Sequence, residues 1–244
     1  MSDNRINHQP AFLLSSRPWS ESSLQIEIFS RDYGRVVMLA RSARRRQSEL
    51  RGVLVPFVPL QISWYGNNEL KTLHRAEWVG GWPQPQNQAL FSAMYVNELV
   101  LKLTAREDSL PSIYHAMYAV LQSICGGEHL AALRYFEWSL LHTLGVAPDI
   151  SQDNLEQAIV CHERYWLRAE HAPVLLMQAQ QLSAQEKGIV VHGHTLNALT
   201  NQSLASQPEW HQEALRLTRM LLDFRLPDGI LSRQILKQLQ QLTG

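Results

Sequence analysis

The chain is 244 residues long, with 22 Lys and Arg against 22 Asp and Glu, 45% hydrophobic and 18% charged. That length allows one large domain or two small ones around a real core, and the neutral balance argues against a chain that coats nucleic acid or membrane over its whole surface, while leaving room for a local patch. No run approaches the ~18 apolar residues of a membrane span, the opening MSDNRINHQP lacks the apolar core of a secretory signal, and two cysteines, Cys125 and Cys161, cannot build a disulfide framework, so a reducing cytoplasm is expected.

Residues 1–10 read as a polar lead. From Ala11 to Glu77 the sequence is strand-like: AFLLSS, a bend at Arg17-Pro18-Trp19-Ser20, then the stretch Leu24 to Arg51. Leu24, Ile26 and Ile28 alternate with Gln25 and Glu27, a turn follows at Arg31-Asp32-Tyr33-Gly34, and VVMLA completes a β-hairpin. VLVPFVPLQISWYG, a turn at Gly66-Asn67-Asn68 and ELKTLHRAEW supply further strands. Pro56 and Pro59 cannot donate to a ladder, so they belong at a strand end, an edge or a bulge. About five short strands before residue 80 predict a small barrel or sandwich.

The composition shifts at GGWPQPQNQ (Gly80 to Gln88), read as a linker into a helical domain spanning 81–244. ALFSAMYVNELVLKL places Leu90, Ala93, Met94, Val100 and Leu101 on a shared stripe. A second helix is expected from about Pro111 to Ile124, stopping at Gly126-Gly127. A third runs from Glu128 to Leu144, with Gly145 and Pro148 past its end. Short connections predict that these three pack as one bundle. From Asp149 to Leu199 the pattern is undecided: ISQDNLEQAIVCHERYWLRA suits a helix, YWLRA also a strand, and GIVVHGHTL a short strand leading to a turn. PEWHQEALRLTRMLLDF and residues Leu231 to Leu242 read as the last two helices.

Charge is concentrated in one place. Between Arg31 and Arg51 lie Arg31, Arg35, Arg41, Arg44, Arg45, Arg46 and Arg51 against only Asp32 and Glu49, a local +5. Guanidinium forks suit phosphate oxygens, and released counterions drive affinity; the plainer reading is a solvated, salt-screened loop. Position on a small barrel favours nucleic acid, which OB-type barrels bind across one face. Phe29, Tyr33, Trp64 and Tyr65 lie on or near the barrel; Phe29 and Phe57 read as core, and Tyr33, in the turn beside Arg35, as the better base-stacking candidate. Arg134, within LAALRYFEWSLL, either snorkels at a helix rim or captures a peptide carboxylate beside an apolar groove. Cys161-His162, His171 and His192-Gly193-His194 hold zinc-type ligands without a CxxC pair, so chance proximity is the favoured reading. No phosphate loop, GxGxxG, GxSxG or HExxH is present, and His74 with Glu77 and Glu98 with Glu107 read as ordinary surface pairs. An enzyme is not expected.

The words themselves go further. AFLLSSRPWSESSLQIEIFSRDYGRVVMLARSARR, LRGVLVPFVPLQISWYGNNELKTLHRAE, MYVNELVLKL and ALRYFEWSLLHTLG closely resemble the RecO family of bacterial recombination mediators. The similarity is strong over residues 11–145, thin from 149 to 200, and returns in ALRLTRMLLDF and LSRQIL. It implies an α+β protein: an N-terminal OB-fold barrel over 1–80, then a mainly α-helical domain over 81–244 with an insert at about 149–200. It further implies annealing of complementary strands, binding of single- and double-stranded DNA, docking on the C-terminal tail of single-stranded DNA-binding protein, and work with RecR in loading RecA, with RecF left open. Arg35, Arg41, Arg44, Arg46 and Arg51 fall where that family places DNA-contacting cations, and Arg134 falls in the segment expected to dock the acidic tail. The zinc cysteines of many members are absent, since Cys161 stands alone in the insert, so a short, metal-free, degenerate zinc-finger-like insert is expected. Ser42 stands where the family usually has Gly. The expected protein is a cytoplasmic, nucleoid-associated monomer without a cofactor.

Overall fold

A computed structural model describes residues 5–127, 129–177, 188–204 and 208–243. Contacts divide the chain into two compact units, Met1–Gly127 with Ile230–Gly244, and Glu128–Gly229. By contacts, α2 (Gln88–Leu103), α3 (Pro111–Gly126) and α7 (Leu231–Thr243) fall in the first unit with the barrel strands.

The first unit is built on five strands, β1 (Ile6–Pro18), β2 (Leu24–Ser30), β3 (Gly34–Ala40), β4 (Pro59–Tyr65) and β5 (Leu70–Trp78), closed in the order β1-β2-β3-β5-β4. The predicted hairpin is β2–β3, in register from Leu24↔Ala40 to Ser30↔Gly34. Ile26 and Ile28 are fully buried with Val36, Met38, Leu60 and Ile62, as alternation requires. Closure comes from β3 lying parallel to β5 at Val37↔Leu70 through Leu39↔Thr72. The short helix α1 (Leu50–Val53) links the basic loop to β4.

The polar lead is a strand rather than a loose end. β1 begins at Ile6, and Ile6 and Gln9 pair with Trp64 and Ile62; residues 1–4 lie outside the described residues. A ladder needs only backbone N–H and C=O groups, so polar side chains on the outer face do not prevent it.

Phe12 and Phe29 pair across β1 and β2 and are both fully buried. Phe12 packs on Trp82 (6.5 Å), Tyr114 (5.4 Å) and Tyr118 (6.2 Å). Burial pushes the Tyr114 hydroxyl up to about 12. The stretch read as a linker is thus fastened to the barrel: Trp82 is buried and its indole N–H donates to the Phe57 carbonyl at 2.9 Å.

Helix α2 is held at two points by residues from one motif. Asn97, itself buried, donates from Nδ2 to the Leu13 and Leu14 carbonyls at 3.0 and 3.2 Å, where β1 carries a register shift against β2. The amide supplies these carbonyls with donors at an irregularity in the ladder. Of the expected stripe, Ala93 and Val100 are buried, whereas Leu90, Met94 and Leu101 are only partly covered; Met94 and Leu101 line a cavity of about 390 Å³ with Leu13, Leu14, Phe57 and Ile235.

Glu98 is no surface pair with Glu107. Its carboxylate accepts Leu231 N at 2.7 Å, Ser232 N at 2.8 Å and Ser232 Oγ at 2.7 Å, while Lys102 Nζ lies 3.0 Å away. Glu98 therefore caps the N-terminus of α7 from a neighbouring helix, where free N–H groups and the helix dipole favour an anion. Glu107 instead pairs with Lys71 at 2.7 Å. Burial works to raise the Glu98 pKa, but the bonds from Ser232, Leu231 and Lys102 outweigh it and hold the carboxyl below the usual value. A depressed folded-state pKa gives stability that is complete above the unfolded value and is lost as pH falls through the folded one. Glu98→Ala is expected to cost ~1–2 kcal/mol at pH 7. In paired thermal melts the gap between variant and parent should shrink below the ordinary carboxyl value of 4.5. A gap that is independent of pH would contradict the cap.

In the second unit, α4 (Leu130–Thr143) buries Leu133, Phe136, Leu140 and Leu141 and packs with α5 (Gly193–Thr200) and α6 (Pro208–Arg225). The expected single bundle of three successive helices is thus replaced by an α2–α3 pair in the first unit and an α4–α5–α6 group in the second. α6 supplies the apolar face for α4, burying Ala214, Leu217, Leu221 and Leu222. Glu128, where the third helix was expected to start, lies outside the described residues.

The stretch of 149–163 that suits a helix forms turns instead. Asp153 Oδ1 accepts Leu155 N at 2.9 Å and Gln157 N at 3.0 Å, offering the backbone an alternative to helical bonds. A small antiparallel sheet follows, β7 (Val174–Leu175), β6 (Arg164–Leu167) and β8 (Ile189–His192) in that order, with β8 running directly into α5.

Candidate nucleic-acid interface

The seven arginines that sequence places together are divided by a strand. Arg31 and Arg35 stand at the β2–β3 turn with Tyr33, whereas Arg41, Arg44, Arg45, Arg46 and Arg51 follow the far end of β3. The seven residues of β3 separate the two groups by about 20 Å. The single basic rim expected from sequence is therefore two sites with different electrostatics.

At the turn, cations are compensated. Arg31 grips Asp32 through Nε at 2.8 Å and Nη2 at 2.9 Å, and these hydrogen bonds hold the Asp32 carboxyl below its usual range. Arg35 is largely buried; its guanidinium donates to the Leu101 carbonyl and lies 3.5 Å from Glu27, and burial lowers its pKa against the pull of Glu27. Arg106 bridges Glu27 at 3.3 Å and Glu69 at 2.9 Å. Arg35 thus braces the barrel against the α2–α3 connection. Tyr33 remains accessible at 39%, edge-on to the buried Trp64 at 5.3 Å.

At the other end nothing compensates. Among the described residues, Arg41, Arg44, Arg45, Arg46 and Arg51 have no ion-pair partner, and all five are exposed. The loop is nevertheless anchored. Ala43 is 2% exposed, Arg44 N donates to the Ser22 carbonyl at 2.9 Å, and Arg44 Nη1 donates to the Ser20 carbonyl at 2.7 Å. Ser42 has φ +55°, a left-handed conformation that glycine adopts at no steric cost. Uncompensated like charges held close together repel one another, and a polyanion relieves that repulsion.

Two further residues share this end without having been picked out from the sequence. Pro18 pairs with Leu24, and Leu24 with Ala40, so the ends of β1 and β3 stand about 10 Å apart across β2. This brings Arg17 and Trp19 beside the basic loop. Arg17 is exposed and donates to Gln25 Oε1 at 2.9 Å, and Trp19 is 54% exposed. The available signal was an aromatic between Pro and Ser in a bend, a position that a core residue does not occupy.

Arg134 is not at a rim. Its side chain is 9% exposed and donates to Glu137 at 2.7 Å, with Glu137 fully buried. Cys161, His192 and His194 each have a different partner. Cys161 Sγ lies 3.2 Å from Asn197 Nδ2, His192 Nδ1 lies 2.7 Å from Glu213, and His194 stacks on Trp210 at 5.6 Å. Among the described residues no three His, Cys, Asp or Glu side chains gather in a metal-binding group. No described helix is long and apolar enough to cross a membrane.

Strand order, closure and the basic loop define the class: an OB-like barrel protein with concentrated cation at one end and a mainly helical remainder. The chain belongs to the RecO family of DNA repair proteins. It matches the family model described as "Recombination protein O N terminal" over residues 1–82 and that described as "Recombination protein O C terminal" over residues 86–234. It is 53% identical over 242 residues to the DNA repair protein RecO of Neisseria gonorrhoeae, covering 99% of this chain and 98% of that protein. The RecO proteins of Aromatoleum aromaticum and Dechloromonas aromatica are 40% and 39% identical, each with 98% of both chains covered. These likenesses place the chain in DNA repair and recombination.

Proposed function

We propose that the chain is a non-enzymatic recombination mediator that binds single- and double-stranded DNA without sequence preference and anneals complementary strands. The observation that carries this reading is the anchored loop of five exposed, uncompensated arginines at one end of an OB-like barrel. Phosphate contact is assigned to Arg41, Arg44, Arg45, Arg46 and Arg51. Arg31 and Tyr33 form a weaker contact at the turn, since Asp32 already offsets Arg31. Arg35 supports the site from within. Annealing follows because one cationic surface screens the repulsion between two strands that it holds.

Targeting to coated DNA is assigned to the α4 segment around Arg134, which would take the acidic C-terminal tail of single-stranded DNA-binding protein. Arg134 Nε is buried and the guanidinium already donates to the buried Glu137, so this assignment rests on the family likeness. Cooperation with RecR in loading RecA rests on the family likeness.

The test is fluorescence-monitored annealing of complementary oligonucleotides, bare and then coated with single-stranded DNA-binding protein, intact or lacking its tail. Annealing of bare strands and of strands coated with the intact protein is expected, with the coated reaction lost on tail deletion. Failure on bare strands would overturn the mediator reading. Unchanged coated annealing after tail deletion would overturn the docking assignment.

A further inference from the structure

Trp19 is an exposed aromatic beside the uncompensated arginine loop. A tryptophan carries up to ~250 Å² of largely apolar surface, yet more than half of this one faces solvent. Among the described residues its ring has no aromatic or cation partner.

The backbone that carries it is held firmly. Trp19 N donates to the Ser23 carbonyl at 3.1 Å, closing the β1–β2 loop on itself, and Ser23 N donates to Ser20 Oγ at 3.3 Å. Pro18, the residue just before Trp19, has its own φ locked by the pyrrolidine ring. The basic loop then ties itself to this same loop through both Arg44 contacts, to the Ser20 and Ser22 carbonyls. One pair of hydrogen bonds therefore sets the distance between an exposed indole and a row of guanidinium groups. Phosphate-binding cations and an aromatic face held beside them are the two parts of a single-strand site, in which the backbone tracks the charge and a base lies on the ring.

We infer that Trp19 is a base-stacking platform for unpaired nucleotides and gives the arginine rim its preference for single strands over duplex. The inference rests on the DNA-binding reading above and assigns a role within that site. The physical distinction is simple. Every unpaired base offers a π-face to the indole, whereas bases in a duplex are already stacked on each other and offer only phosphate to the arginines. Stacking on Trp19 therefore holds the separated strands and is lost when they pair, so the annealed product leaves the site more readily than its reactants.

The experiment is fluorescence anisotropy with a labelled oligodeoxythymidylate and a labelled blunt duplex of equal length, at one salt concentration, for the parent protein, Trp19→Ala and Trp19→Phe. Trp19→Ala should weaken single-strand binding by roughly 5- to 150-fold, the range for losing one stacked base, and change duplex binding less than about twofold. Trp19→Phe should recover most of the lost affinity, because it restores a ring without restoring the indole N–H. Equal losses on both probes would overturn the inference and make Trp19 a support for the loop. No loss on either would overturn it as well. Failure of the parent to bind either probe would instead refute the DNA-binding reading, and the inference with it.

Discussion

Replacing Arg44, Arg45 and Arg46 together by Glu is expected to abolish strand annealing and to lower DNA affinity by more than 100-fold near 0.1 M salt. Each arginine that meets a phosphate releases a counterion, and three such contacts exchanged for three repulsions act multiplicatively. The same change should leave the thermal midpoint within a few degrees of the parent. None of the three has an ion-pair partner among the described residues, so no ion pair is broken by the change. The one structural loss is the Arg44 side-chain bond to the Ser20 carbonyl, at an exposed position. The check is anisotropy and annealing beside a thermal melt. Retained annealing by a folded variant would remove the loop from the site. A contrasting variant, Arg35→Glu, should act through the fold, since that guanidinium is enclosed between the Leu101 carbonyl and Glu27.

Gly34→Ala is expected to be the most destabilising conservative change in the barrel. Gly34 has φ +62°, and a Cβ built there would lie 1.8 Å from the Asp108 carbonyl oxygen. The obstacle is backbone, and that backbone is fixed: Glu107 N donates to the Arg35 carbonyl at 2.9 Å, and Arg106 bridges to Arg35 in the parallel sense. Displacing the strap would disturb the bracing of Arg35 and the Lys71–Glu107 pair beside the closure of β3 on β5. Overpacking and a left-handed residue with a side chain together cost about 3 kcal/mol. For a chain of this size that lowers the midpoint by roughly 6–12 °C. Gly80→Ala is the control, because Gly80 has φ +85° but nothing within 4 Å of a Cβ. Its loss should reflect backbone strain alone. Equal effects of the two variants in thermal melts would contradict the close approach at Asp108.

What could be read in the sequence was what is local. The β2–β3 hairpin was legible because Leu24, Ile26 and Ile28 alternate with polar residues over a full strand. α3 was legible because Pro111 opens it and Gly127, at φ +93°, closes it. The start of β1 was not, since Asn7, His8 and Gln9 look like a tail and join the sheet through backbone groups. Nor was the parallel β3–β5 pairing that closes the barrel, which brings together residues more than thirty positions apart.

The site shows the same limit. Proximity in sequence made seven arginines one cluster, whereas the length of β3 divides them and the carboxylates at the turn neutralise only one group. Trp19 was passed over because its neighbour across the barrel end, Ala40, lies on a different strand of the sheet. Glu98 looked like a surface charge because its partners, Leu231 and Ser232, lie over 130 residues further on. Arg134 looked available because sequence does not show how deeply α4 is covered.

The most direct measurement is the salt dependence of single-strand binding by the parent protein, plotted as log affinity against log salt. Five uncompensated arginines meeting five phosphates give a slope of about −3.5, flattening to about −1.5 in the triple Arg44, Arg45 and Arg46 variant if its residual binding can be followed at low salt. A slope near zero, or no saturable binding at low salt by a folded protein, would contradict DNA binding through the arginine loop.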